Sequence, residues 1–135
     1  MQYKLLKLGI DSARMTTDAG IDLVVYSPGD RSATTVQVKS NRAPKPAGGT
    51  GPLSRGWYFP DDSPADMVAL VALDADMAWL MTLKEARELA QQHSARGMRQ
   101  IYWRVQALGP AQMLLRHEAQ MCGFLLETRA PDLFP

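Results

Sequence analysis

GIDLVVYSPGDRSATTVQVKSN, Gly20 to Asn41, reads as two β-strands joined by a turn, and the rest of the chain is organised around it. The first strand is apolar and largely β-branched, with Ile21, Leu23, Val24, Val25 and then Tyr26. Ser27-Pro28-Gly29-Asp30 has the composition of a turn, and the second strand runs from Thr34 to Ser40. Alternation points Val36 and Val38 one way and puts Gln37 and Lys39 on the opposite face, about 7 Å apart. Pairing brings Asp22, at the start of the first strand, alongside Gln37 and Lys39. A carboxylate, an amide oxygen and an ammonium at one place suit a hard divalent cation and a developing oxyanion. The plain alternative is the wet face of a half-buried strand.

This arrangement, Asp-x14-Gln-x-Lys across a hairpin, resembles the PD-(D/E)xK, or restriction-endonuclease-like, nuclease superfamily in its variant with Gln for the middle acid. The surrounding text is similar too: a helix end closed by Gly (KLLKLG), then Thr-x-Asp-x-Gly-Ile-Asp-Leu, then Val-Gln-Val-Lys-Ser. Residues 3 to 92 follow the family's order of helix, strands and helix. The resemblance implies an α/β fold with a mixed central sheet of about four to five strands flanked by helices, a single domain over residues 1–135.

It also implies metal-dependent hydrolysis of phosphodiester bonds in nucleic acid, DNA before RNA, and it admits a homodimer. Carried over by position, Asp22 is the anchoring metal ligand, and Gln37 is the second ligand through its amide oxygen. The Val38 carbonyl is the third, Lys39 the electrostatic catalyst, and Ser40 a support for the phosphate. Gln is a poorer ligand than Glu, so Mg²⁺ or Mn²⁺ is expected to bind weakly, with phosphates and waters completing the octahedron. The family's first helix usually carries a Glu that joins the metal. Here no acid precedes Asp11; either Asp18 substitutes or the site is weakened. Two other readings stand beside this one. The first is a non-catalytic DNA-binding or assembly module on the same fold, and the second is a small α/β interaction domain.

At 135 residues the chain is of single-domain length. A net charge of +1 gives no global pull toward nucleic acid, so any such affinity must come from local patches. Cys122 is the one cysteine; no internal disulfide forms, which fits a reducing cytoplasm. The apolar run near the N-terminus is short and interrupted by Lys7, unlike a secretory leader. The longest apolar stretch, Met67 to Leu73, is far short of a membrane span, so no membrane partner is expected.

Around the hairpin, Met1 to Leu8 reads as a short helix stopped by Gly9, and Ile10 to Thr17 as a connecting strand or loop. Residues 41–56 are rich in Gly and Pro and read as a mobile loop at the mouth of the site, with Arg42, Lys45 and Arg55 as nucleic-acid contacts. This loop runs into Trp57-Tyr58-Phe59. Basic residues beside aromatics suit single-stranded or distorted nucleic acid, while the plainer reading sends the aromatics into the core as a short strand. Met67 to Leu73 is a strand buried on both faces. Asp74-Ala75-Asp76 turns it into Met77 to Met81, and the Asp residues flanking this strand do not share a face as a metal cluster would. Thr82-Leu83-Lys84-Glu85 is a capping box opening a helix to about Ser94. Arg99 to Gln106 is a further strand, placed at a sheet edge, and Gly109-Pro110 opens a helix from Ala111 to about Cys122 with His117 on its stripe.

Overall fold

The computed structural model describes residues 1–17, 19–106 and 116–135. Its elements are α1 (Gln2–Lys7), β1 (Asp11–Arg14), β2 (Leu23–Ser27), β3 (Ser32–Asn41), β4 (Lys45–Pro46), β5 (Leu53–Pro60), β6 (Met67–Ala72), β7 (Met77–Thr82), α2 (Leu83–Leu89), β8 (Gln92–His93), β9 (Met98–Arg104) and α3 (Leu126–Leu133), with 3₁₀ turns over Ala47–Gly49 and Glu118–Phe124. The hairpin forms as expected: β2 and β3 pair antiparallel, with Leu23 opposite Val36 and Ser27 opposite Ser32. A five-stranded mixed sheet has the order β1-β2-β3-β6-β7, in which the β3–β6 pair is parallel. A second, four-stranded sheet has the order β4-β5-β9-β8 and is antiparallel throughout. The mixed α/β architecture agrees with the endonuclease-like fold expected from the sequence; the second sheet was not foreseen.

Strand β6 sets the layering, because all of its side chains are buried. Met67, Ala69 and Val71 join Leu23, Val25, Val36 and Leu80 on one face, covered by Leu5 of α1 and by Leu126 and Ala130 of α3. Val68, Leu70 and Ala72 join Trp79 and Met81 on the other, covered by the second sheet through Trp57, Phe59, Ile101 and Trp103, and by Ala86 of α2. The three tryptophans meet ring to ring, with centroids 4.7–5.7 Å apart in tilted and edge-on contacts that suit the aromatic quadrupole. Helix α1 stops at Gly9, whose φ of +75° is the left-handed conformation that glycine accepts. The Thr82–Glu85 capping box is present, with each side chain bonded to the other residue's backbone N–H. Among the described residues no helix is long and apolar enough to cross a membrane.

Several expectations need correction. Residues 41–56 are not a structureless loop, since they hold β4, a 3₁₀ turn and the start of β5. As the plainer reading of the aromatics expected, Trp57 and Phe59 enter the core as part of a strand, while Tyr58 on its wet face stays 56% exposed. Strand β9 lies inside its sheet, between β5 and β8, rather than at an edge. Helix α2 ends at Leu89, because the next residues pair alongside β9: Gln91 N–H bonds to the Gln100 carbonyl, and β8 follows. His117 caps the 3₁₀ turn after it and lies on no helical stripe; residues 111–115 of the expected helix lie outside the described residues.

Arg55 is the clearest correction. It is 5% exposed, with two edges of its guanidinium occupied. Nη1 and Nη2 bond the Asp74 carboxylate, and Nε donates to Glu118 at 2.8 Å. That carboxylate also accepts from Trp103 Nε1 at 3.1 Å. Arg55 therefore ties the second sheet to the β6–β7 turn and to the C-terminal segment, and it is not available to a nucleic acid. Three further carboxylates flanking β6 are likewise spent on cations or hydroxyls: Asp61 on Arg99 and Arg87, Asp66 on Thr35, and Asp76 on Lys4.

Two stability predictions follow from these contacts. Arg55→Met should cost roughly 2–4 kcal/mol in urea unfolding, somewhat under the cost of breaking a fully buried pair because Asp74 keeps access to water; a loss below 1 kcal/mol would refute the clamp. Asp66 accepts from the Thr35 hydroxyl at 2.6 Å and the Thr35 N–H at 2.9 Å, which hold its carboxyl below the usual carboxylate range. Its pKa is lower folded than unfolded, so its contribution is complete above about pH 4 and is lost as pH falls through the folded value. Asp66→Asn should therefore flatten the acid side of the stability profile, and an unchanged slope would contradict this.

Candidate active site

The hairpin opens at its far end. Pairing stops at Leu23 and Val36, and β3 continues to Asn41 with β6 on one side and no further partner from β2 on the other. At the opening, Asp22 N–H donates to the Val36 carbonyl at 3.0 Å, although Leu23 is the register partner of Val36. Two residues thus face one, the geometry by which a β-bulge redirects a side chain. Asp22 Oδ2 accepts from the Val38 N–H at 2.7 Å and so takes the place of the missing strand. The N–H and C=O of one strand residue point to the same side, so the Val38 carbonyl lies on this unpaired edge beside the carboxylate.

Asp22 and Val38 line an open cleft of about 660 Å³ together with Gln2, Arg14, Thr16 and Ile21. Gln37 and Lys39 are not among its lining residues, since strand alternation turns their side chains to the other face of β3. Gln37 is 3% exposed, and its Oε1 accepts from the Ser63 hydroxyl at 3.1 Å. The amide sits beneath a tight crossing: Gly20 has φ +78°, and a Cβ there would lie 3.1 Å from Pro64 and 3.7 Å from Gln37 Nε2. Glycine is required at that point for both reasons.

Lys39 is half-buried, and its ammonium has no hydrogen-bond or ion-pair partner among the described residues. Among the described residues this sets it apart. The other lysines and arginines without such bonds, Lys7, Arg14, Arg31, Arg42, Lys45, Lys84 and Arg96, are exposed. Withdrawing an ammonium from water with nothing to pair it is unfavourable, and the fold does not recover that cost within itself. Ser40 is exposed directly beyond Lys39.

The donor set at this cleft is spare. Among the described residues no three His, Cys, Asp or Glu side chains converge as a metal cluster. Helix α1 carries no acid, and Asp18 lies outside the described residues. One carboxylate with an unpaired carbonyl oxygen still fits a hard cation that keeps waters and shares phosphate oxygens. Gln2, from α1, reaches this cleft and donates to the Ser12 carbonyl at 3.2 Å, so the first helix does contribute a side chain to it. Sequence reading missed Gln2 and Ser63. Gln2 carries no charge to mark it, and Ser63 is joined to Gln37 across 26 residues.

The whole arrangement is similar to the structure of a bacterial homing endonuclease, I-Ssp6803I, with a TM-score of 0.62 at 13% identity. The match covers 97% of this chain and 85% of that one. At this identity the likeness is one of fold. No protein-family model matches the chain, and no curated protein matches it in sequence.

The Asp22–Val38 bond gives a stability test independent of any activity. Asp22→Ala leaves the Val38 N–H without its acceptor and should cost about 1–2 kcal/mol, whereas Asp22→Asn keeps an acceptor oxygen and should cost under about 1 kcal/mol. Equal losses in urea unfolding would show that the carboxylate does not cap this edge.

Proposed function

We propose that the chain is a divalent-metal-dependent endonuclease of the PD-(D/E)xK kind that hydrolyses phosphodiester bonds in nucleic acid, DNA before RNA. The observation that carries the reading is Lys39, a half-buried cation whose ammonium has no partner among the described residues, one residue from the Asp22–Val38 junction. Its neighbourhood on a fold similar to that of a homing endonuclease supports the same conclusion.

In this reading Asp22 and the Val38 carbonyl hold Mg²⁺ or Mn²⁺ weakly, while the Gln37 amide, turned to the other face of the strand and bonded to Ser63, is not a ligand. The bound ion would polarise the scissile phosphate and ease ionisation of the attacking water. Asp22 is held in place by the Val38 N–H, so its carboxylate is oriented before substrate arrives. Lys39 offsets the charge that builds on the phosphate oxygens in the transition state. Ser40 and the exposed Arg42 and Lys45 follow along the chain and serve as phosphate contacts. These stabilise bound and reacting substrate alike, so they act on affinity more than on turnover.

One observation favours a second reading. Gln37 is buried and bonded to Ser63, and α1 brings no acid, so the ligand set suits a non-catalytic nucleic-acid-binding or assembly module as well.

Cleavage assays on linear, nicked, branched and single-stranded substrates decide between the two. With Mg²⁺ or Mn²⁺ the unsubstituted protein should cleave at least one of them. Lys39→Ala should slow cleavage about 100- to 1000-fold while leaving substrate affinity within a few-fold. Lys39→Arg should not restore it, because a planar fork does not occupy the place of an ammonium. Failure of the unsubstituted protein to cleave any substrate with either metal would favour the non-catalytic module.

A further inference from the structure

The basic and aromatic run from Arg42 to Phe59 divides when it folds. Arg55, Trp57 and Phe59 turn inward, which leaves Lys45, Ser54, Gly56 and Tyr58 on the outer face of the four-stranded sheet. Register adds a matching set from β9: Ser54 is opposite Arg104, Gly56 opposite Tyr102 and Tyr58 opposite Gln100. Lys45 is opposite Ser54, so one cross-strand row reads Lys45, Ser54, Arg104. The next rows read Gly56 with Tyr102, then Tyr58 with Gln100.

We infer that this outer face is a stacking platform for unpaired nucleotides of the nucleic acid on which the proposed nuclease acts, with Tyr58 and Tyr102 as the base-stacking rings. The inference rests on the nuclease reading for the class of partner. Tyr58 and Tyr102 are diagonal neighbours on adjacent antiparallel strands, about 7–8 Å apart. That distance lets one base lie on each ring when the strand between them is unstacked. Tyr58 is 56% exposed, and neither tyrosine hydroxyl has a hydrogen-bond partner among the described residues. Gly56 beside Tyr102 carries no side chain to obstruct a base. A Cβ on it would lie 3.3 Å from Gln100 Nε2, so the Gln100 amide reaches to the centre of the face, where it meets a base edge.

Charge complementarity supports the same occupant. Strands β4, β5, β8 and β9 contain no Asp or Glu. Lys45 is exposed at one end of the first row, and Arg104 stands at the other with its Nη1 donating to the Gln106 carbonyl at 3.0 Å. Cations flanking aromatic rings on a sheet, with no anion among them, are the elements by which proteins bind single strands without strict sequence preference. The platform is joined to the candidate active site as well. Asn41, two residues after Lys39, donates through Nδ2 to the Gly56 carbonyl at 3.1 Å.

Fluorescence anisotropy with a labelled oligothymidylate of about 12 nucleotides, in chelator to exclude cleavage, tests the platform. Tyr58→Leu and Tyr102→Leu keep apolar bulk on the strand and lose the ring; each should raise the Kd by roughly 5- to 150-fold, and Tyr58→Phe should not. Lys45→Glu should weaken binding and reduce its salt dependence. Tyr3→Ala, on the outer face of α1, should change nothing. Equal affinity in the unsubstituted protein and both Leu variants would overturn the inference, as would absence of single-strand binding by the unsubstituted protein. Lys39-dependent cleavage of duplex, read in parallel, persists if only the platform is wrong and is absent if the nuclease reading is wrong.

Discussion

Burial of β6 on both faces is the constraint from which the rest of the structure follows. Its side chains alternate between two apolar clusters, so each face of the central sheet must be covered. Helices α1 and α3 cover one face, and the second sheet with α2 covers the other. The parallel pairing of β3 with β6 adds a further demand, since parallel neighbours need a crossover of a dozen or more residues. In many folds a helix makes that crossover. Here residues 42–66 make it, and on the way they supply β4 and β5 of the covering sheet. The segment most like a loop in composition is thus the one that closes the tryptophan-lined core.

The candidate site is a consequence of where pairing ends. The hairpin separates beyond Leu23 and Val36, and Asp22 substitutes a side-chain acceptor for the lost backbone partner of Val38. The result is a carboxylate held against a strand edge that still offers a carbonyl. Elsewhere the chain spends its charge internally: Arg55 on Asp74 and Glu118, Arg129 on Glu85, and Lys4 on Asp76 and Glu127. Lys39 is the half-buried exception among the described residues.

Local features were legible in the sequence because local physics sets them. Alternation at Val36 to Lys39, the apolar run at Met67 and the Thr82–Glu85 box each report on a few neighbouring residues, and the structure has all three. The Gly9 stop is legible for the same reason. Arg55 was not. Its neighbours in the chain are Gly, Pro and Ser, while its partners lie 19 and 63 residues away. Gln37 reads as a wet strand position until Ser63, Pro64 and Gly20 close over it. The pairing of β5 with β9, which buries Trp57 and frees Tyr58, likewise joins segments with no common local signal.

The most direct measurement of the central claim is paramagnetic broadening of backbone amide signals by Mn²⁺, recorded with a non-cleavable oligonucleotide present so that phosphates complete the coordination. If the hairpin opening is a metal-dependent phosphodiester site, broadening should centre on Asp22, Leu23 and Val38 and weaken with distance from them. Broadening centred instead on the carboxylates flanking β6, such as Asp61 or Asp74, or no selective broadening at all, would contradict the account.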